Sequence, residues 1–200
     1  MPLDEQLLLD RLLREYRDLM PSEFSLWQQH LSLLLTLLIR IVKDTIDHEQ
    51  GGTRRYSWHR VESGKTAAES TLADHLALII GVSTGLPVDV EVSNRAGGRA
   101  DVIVTFHDAE RFVIEVKRIT ESATDAELAD SFGDQAGQYT LTGPPFAFLA
   151  VLDLTHRESR LPVGASFWVV PWRVPTTDEV RALTCFRVLA DVATPSELSR

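Results

Sequence analysis

The sequence predicts an α/β fold built on a mixed sheet of four or five strands. Leucines recur at helical spacing near the N-terminus, and short runs of β-branched residues alternate with polar ones in the middle of the chain. The continuous apolar run FAFLAVLDL, residues 146–154, is typical of an interior strand. With 200 residues, 44 % of them hydrophobic, the chain can bury one sizeable core.

Two helices are expected to precede the sheet. Leucines within residues 3–19 form an apolar stripe opposite a charged face. Pro21 is expected to end this helix, and Ser22 to cap a second one that runs to about His48. The aliphatic middle of the second helix, residues 31–39, is shorter than the ~20 residues of a bilayer span, so no membrane contact is expected. This segment is explained equally well by a helix packed on the rest of the chain and by an interface with a second copy or a partner protein.

A break in the helical pattern at residues 51–64 is predicted to link an N-terminal extension, residues 1–50, to a larger domain at 65–200. Basic residues here lie among aromatic ones: Arg54, Arg55 and Arg60 beside Tyr56, Trp58 and His59. Such a patch can hold phosphates and stack a base. An ordinary solvated linker whose aromatic rings enter the core explains the same residues.

The larger domain is expected to begin with a helix over residues 66–80. Thr66 and Glu69 fit a capping box, and Gly81 is a typical C-terminal stop. A strand follows at 87–93, in which valines alternate with polar residues. Among these, Glu91 is either close to the site described next or simply exposed to solvent.

A β-hairpin forms the centre of the predicted sheet. Its strands, 100–106 and 111–117, are rich in β-branched and aromatic residues and are joined by four polar or small ones. Because side chains alternate across a strand, Glu115 and Lys117 share one face. Asp101 lies at the start of the first strand, so the hairpin can bring Asp101, Glu115 and Lys117 together.

These three residues together are suited to metal-assisted chemistry. Two carboxylates across a hairpin form a hard oxygen site suited to Mg²⁺ or Mn²⁺. A cation bound there polarises a phosphoryl oxygen and activates a water, and a neighbouring lysine can position that water. A half-exposed ion pair between Glu115 and Lys117, which contributes little, explains the same two residues.

A further helix is predicted over residues 124–141, followed by strands at 146–153 and 165–170. Residues 183–192 are ambiguous between helix and strand, and their β-branched content favours a strand. Gly133 and Gly137 each weaken the helix by roughly 1 kcal/mol relative to alanine. We expect them to let it approach the sheet or the substrate closely.

One stripe of this helix, Leu128, Phe132, Gln135 and Tyr139, is expected to face the sheet. Gln135 and Tyr139 therefore either orient the substrate phosphate or a water, or are buried polar groups satisfied by the backbone. The sequence favours the first role for Gln135 and leaves Tyr139 open.

The ordered set resembles the D…(D/E)xK signature of the PD-(D/E)XK nuclease superfamily. Asp101 is followed by a spacer of thirteen residues and then by Glu115-Val116-Lys117 at the end of an apolar strand. Glu69 resembles the acidic residue on the preceding helix, and Gln135 with Tyr139 resembles the QxxxY motif of the RecB-type branch. The likeness spans about residues 65–153. Ala100 stands where the proline of the name would be, a variable position in the superfamily.

The resemblance implies a restriction-endonuclease-like βββαβ core and Mg²⁺- or Mn²⁺-dependent hydrolysis of phosphodiester bonds, chiefly in DNA, in restriction, repair or defence. It implies metal ligands at Glu69, Asp101, Glu115 and the Val116 carbonyl, and Lys117 as the residue that assists the attacking water. If the carboxylate of Glu69 instead accepts a hydrogen bond from the backbone amide of the helix cap, it is not a metal ligand.

Arg118 can reach a phosphate alongside Arg54, Arg55 and Arg60, or it is ordinary surface charge. The alternative function is a catalytically idle nuclease-like module that assembles through its N-terminal helices.

Composition narrows the function further. A net charge of −9 argues against a protein that coats nucleic acid nonspecifically, but not against an enzyme that acts on it. The single cysteine, Cys185, excludes an intramolecular disulfide. Acids occupy the place where a signal peptide would be basic. A cytoplasmic location is therefore expected.

Overall fold

The computed structural model describes residues 1–50, 69–93, 99–141, 143–157, 159 and 161–190, without the side chains of 48–50, 91–93 and 99–101. Several predictions concern residues beyond these limits. The linker 51–64, with Arg54, Arg55 and Arg60, lies outside the described residues, as do Thr66 and the side chain of Asp101.

Among the described residues, six strands form one mixed sheet in the order β1-β2-β3-β4-β6-β5. They are β1 (Val88–Ser93), β2 (Arg99–Thr105), β3 (Arg111–Ile119), β4 (Phe146–Asp153), β5 (Phe167–Arg173) and β6 (Val180–Leu189). The first three strands are antiparallel, β3, β4 and β6 run parallel, and β5 pairs antiparallel with β6. The α/β class is confirmed. The predicted count of four or five strands is too low, because the ambiguous C-terminal segment forms the buried strand β6.

In the part of the chain that the structure describes, four helices surround the sheet: α1 (Leu3–Leu19), α2 (Pro21–Gln50), α3 (Glu69–Thr84) and α4 (Asp125–Gln138). A 3₁₀ turn, Tyr139–Leu141, extends α4 over the rest of its predicted length. Pro21 is the first residue of α2, so the prediction that Ser22 caps this helix is wrong. Proline suits this place because its ring presets the helical φ and a first-turn N–H needs no intrahelical partner.

The end of α3 also differs from the prediction. The helix passes Gly81 and ends at Thr84. Gly85 then adopts φ +70°, and its N–H bonds to the Gly81 carbonyl at 2.8 Å. A left-handed residue is what terminates a helix of this kind, so Gly85 is the stop and Gly81 is an interior residue.

The two faces of the sheet are covered differently. Helices α1, α2 and α3 lie on one face, where Phe112, Ile114 and Val116 of β3 join their leucines in a single core. Helix α4 covers the other face with Leu128, above Leu149 and Val151 of β4.

The aliphatic middle of α2 lies in the first of these cores. Leu31, Leu34, Leu35 and Leu38 are each at most 1 % exposed. Of the two interpretations of residues 31–39, packing on the rest of the chain therefore matches the structure. By length and composition residues 21–47 also meet the criteria for a membrane span, a test that core helices pass too.

Helix α4 approaches the sheet at its two glycines, as predicted. A Cβ added at Gly133 would lie 3.3 Å from Cδ2 of Leu183, and one added at Gly137 would overlap the indole ring of Trp172. The same indole donates a hydrogen bond from Nε1 to Oδ1 of Asp134, at 2.9 Å. Trp172 on the edge strand β5 therefore fixes the C-terminal half of α4.

Substituting Gly137→Ala should lower the free energy of unfolding by about 1–3 kcal/mol, because overpacking against the rigid indole outweighs the gain in helix propensity. Gly133→Ala is the matched control. Its neighbour is the flexible end of Leu183, so the change should stay within about 1 kcal/mol in either direction. Urea denaturation of both variants measures the difference, and equal effects would contradict the packing of Trp172 on Gly137.

Candidate active site

Strand β3 separates an apolar face from a polar one. Phe112, Ile114 and Val116 are fully buried in the core under α1–α3. Glu115 and Lys117 project to the α4 side, where they are only 0 % and 9 % exposed. An unpaired charge this deeply buried costs several kcal/mol, so both groups require partners.

Two side chains contact the same carboxylate oxygen of Glu115. Nζ of Lys117 lies 2.6 Å from Oε1 of Glu115. The side-chain amide of Gln135 donates to the same Oε1. Hydrogen bonds to an ionised group are roughly twice as strong as neutral ones, so this oxygen holds β3 and α4 in one arrangement.

Asp101 lies directly opposite Glu115 in the ladder of β2 and β3, as the hairpin predicts. In the neighbouring ladder Glu91 of β1 lies opposite Asp101. Directly opposed residues of antiparallel strands share a face, with Cβ atoms about 4.5–5.5 Å apart. The backbone therefore sets three acidic positions, Glu91, Asp101 and Glu115, in one row across three strands. The side chains of the first two lie outside the described part of the chain.

Glu69 has a partner that neither of its predicted roles includes. It is the first residue of α3, and its Oε1 accepts the backbone N–H of Arg118 at 2.9 Å. This N–H lies just past the last pair of the β2–β3 ladder, Ala100 with Val116. The carboxylate of Glu69 is thus held at the end of β3 that carries Lys117.

The remaining predicted residues that the structure describes are Val116, Arg118 and Tyr139. The side chain of Val116 is buried in the opposite core, so only its backbone is available to the polar face. Arg118 is exposed on the strand that carries the site. Tyr139 is half-buried in the turn after α4, one helical turn beyond Gln135.

The acidic positions of the polar face are candidates for a hard-cation site. Opposed carboxylates supply the oxygen ligands that Mg²⁺ and Mn²⁺ prefer. Among the described side chains, which do not include that of Asp101, no three His, Cys, Asp or Glu residues gather into a metal-binding group. The fit therefore depends on Asp101, placed opposite Glu115 by the register.

No family model, no curated protein and no solved structure matches the chain.

A buried charge cluster at the C-terminal ends of β4 and β6 was not predicted from the sequence. Asp153 is fully buried, and its Oδ2 lies 2.8 Å from Arg157 and 3.1 Å from Arg187. Arg187 also reaches Oδ1 of Asp125, the first residue of α4, at 2.9 Å. The cluster thereby fixes the start of the helix that carries Gln135. The arginine in the apolar run CFRVL is the signal that could have indicated it.

The environment of Asp153 gives its carboxylate a pH-dependent role. Burial by itself would raise the pKa of Asp153, but hydrogen bonds from Thr155 and the charge of Arg157 hold the pKa below its usual value. A carboxyl whose folded-state pKa is lowered stabilises the fold above its unfolded pKa, about 3.9. That stability is lost as the pH falls through the lower folded value.

Asp153→Asn should cost about 3–5 kcal/mol at neutral pH, because Arg187 and Arg157 lose their buried partner. The variant should also lose less stability than the parent when the pH falls below about 4. Urea denaturation across the acidic range measures both effects. Parent and variant curves of the same acid slope would show that Asp153 does not contribute to acid unfolding.

Proposed function

We propose that the chain is a Mg²⁺- or Mn²⁺-dependent nuclease that hydrolyses phosphodiester bonds, with DNA as its substrate. The observation that carries the proposal is the row of acidic positions across β1, β2 and β3. Lys117 follows Glu115 by two residues on the same face and contacts its carboxylate. Acids and an adjacent lysine in this arrangement suit metal-assisted hydrolysis.

The order of the elements supports the proposal. From α3 to β4 the chain runs helix, three antiparallel strands, helix and a parallel strand. The resemblance to PD-(D/E)XK nucleases implies this order, with an acid on the first helix, where Glu69 lies. A restriction-endonuclease-like core is therefore part of the proposal, with α1, α2, β5 and β6 added around it.

Each candidate residue has a distinct role in this function. Asp101, Glu115 and the Val116 carbonyl would hold the cation, and Glu69 a second one. The cation supplies positive charge for the phosphoryl oxygens and activates a water. Lys117 donates to that water, and Gln135 keeps the carboxylate of Glu115 in one orientation through its amide.

Contacts to the nucleic acid must be local, because the chain carries a net charge of −9. Arg118 is exposed near the end of the strand that carries the site, with its side chain on the opposite face of β3 from Lys117. Its guanidinium is proposed to contact a phosphate. Arg54, Arg55 and Arg60, outside the described residues, stay predicted phosphate contacts.

One observation favours a second function. Oε1 of Glu115 already accepts Lys117 and Gln135, which is how a buried structural ion pair is satisfied. In that case the polar face only stabilises the sheet. The chain is then an idle nuclease-like module that assembles with a second copy or a partner protein through its N-terminal helices.

Incubation with labelled linear, circular and single-stranded DNA and with RNA tests the nuclease function. Cleavage should require Mg²⁺ or Mn²⁺ and stop with chelator. Asp101→Ala, Glu115→Ala and Lys117→Ala should each lower the rate by about a hundredfold or more, because each supplies a different part of one site. Glu121→Ala, an exposed acid just beyond β3, is the matched control and should cleave like the parent. Full cleavage by any of the three site variants would refute the assignment.

Thermal melts with Mg²⁺ and with chelator separate the two functions. A cation that binds only the folded parent adds RT ln(1 + [L]/Kd), about 2.7 kcal/mol at a hundredfold excess over Kd. Asp101→Asn removes one of the repelling charges, so it should preserve or raise the melting temperature without metal and shrink the metal-induced increment.

The idle module predicts different melts. Its parent is indifferent to both cations, and Glu115→Gln is destabilised because Lys117 loses its charged partner. Glu121→Gln serves as the control for loss of a negative charge. A parent that responds to neither cation would therefore reject the nuclease and leave the idle module.

A further inference from the structure

A cavity of about 570 Å³ lies between α1, α2 and α3, on the face of the sheet away from α4. This volume is within the ~300–1,000 Å³ typical of small-molecule sites. Aliphatic side chains form much of its wall, among them Leu37, Ile41 and Ile79. None of the polar-face residues of β3 lines it, so the cavity is separate from the proposed nuclease site.

Glu5 of α1 provides the chemical feature of this cavity. The residue is only 5 % exposed, yet it lines the cavity. Within the described part of the chain, its Oε2 has no hydrogen-bond partner. The cation beside it, Arg40, has Nε 4.0 Å from that oxygen, beyond hydrogen-bonding distance, and a side chain that is 56 % exposed. A buried acceptor left in this state costs about 1–3 kcal/mol.

The other charges around the cavity leave a negative excess. Among the lining residues that the structure describes, three acids, Glu5, Asp44 and Asp47, face two cations, Arg40 and Lys43. Nζ of Lys43 is held by Asp47 at 3.1 Å and lies 3.6 Å from Asp4. Burial lowers the pKa of His75, against the opposing charge of Asp44, so this ring adds no positive charge at neutral pH.

We propose that the cavity binds a small amphipathic cation, with an amidinium or guanidinium group on the carboxylate of Glu5 and an apolar body against Leu37, Ile41 and Ile79. A planar group with parallel N–H donors matches a carboxylate and forms charge-assisted hydrogen bonds to it. It would supply the donor that Oε2 of Glu5 lacks. The aliphatic wall would remove the apolar body of the ligand from water.

Three probes of one shape test the charge requirement: benzamidine as the cation, benzamide as the neutral analogue and benzoate as the anion. Titration calorimetry of the full chain is carried out with chelator present, so the result is independent of the proposed metal site. Benzamidine should bind, and the other two should bind at least tenfold more weakly. Equal binding of all three probes, or no binding of benzamidine, would overturn the proposal.

Variants locate the binding to this cavity. Glu5→Gln should weaken benzamidine binding at least tenfold, whereas Asp18→Asn, an exposed acid on the same helix, should bind like the parent. Leu33→Trp adds bulk at a lining position that is 42 % exposed and leaves Glu5 intact, so it should also reduce binding. It decides the matter if Glu5→Gln does not fold. Unchanged binding by either folded variant would overturn the assignment.

Discussion

The buried carboxylate of Glu115 is the constraint on which the polar face of the sheet depends. A lone charge at a site with no exposed surface would cost several kcal/mol, so donors must converge on it. Lys117 supplies one from the same strand, because a spacing of two residues returns the side chain to the same face. Gln135 supplies the other and ties α4 to β3. The position of a whole helix is thereby linked to one carboxylate.

Residues far from β3 hold that helix in place. At its start Asp125 bonds to Arg187 of β6, and near its end Asp134 and Gly137 contact Trp172 of β5, three strands away from β3. Because protein interiors are close-packed, a rotation of α4 at either end would move Gln135 relative to β3. The hairpin is also held from the other face of the sheet. There Nε2 of His30 in α2 lies 3.1 Å from Oδ2 of Asp108 in the turn, and the His30 ring contacts the ring of Phe106.

Local patterns in the sequence were enough to predict most elements and the centre of the site. The alternation of side chains along a strand predicted that Glu115 and Lys117 share one face. Helical spacing predicted that Gln135 faces the sheet. The contacts that could not be predicted join residues far apart in the chain. Trp172 contacts Asp134, Arg187 contacts Asp125, and Glu69 contacts the backbone of Arg118.

These pairs are separated by 38, 62 and 49 positions. No periodicity relates such residues, because their contact depends on the finished packing. The prediction that Gly81 ends α3 was wrong for a related reason. Either glycine can end a helix, and the structure continues the helix through Gly81 to Thr84.

The pair of Glu115 and Lys117 is compatible with both proposed functions, so the ratio of acids to cations is the more informative observation. A structural ion pair requires one acid for one lysine. Here the ladders place Glu91, Asp101 and Glu115 in one row, with a single lysine on the same face of β3. Like charges at opposed positions of neighbouring strands repel, and one lysine can offset only part of such a repulsion. Under the proposed function, a row with more acid than its lysine can neutralise gains by binding a divalent cation. A sheet that needed only stability would gain more from apolar residues at those positions.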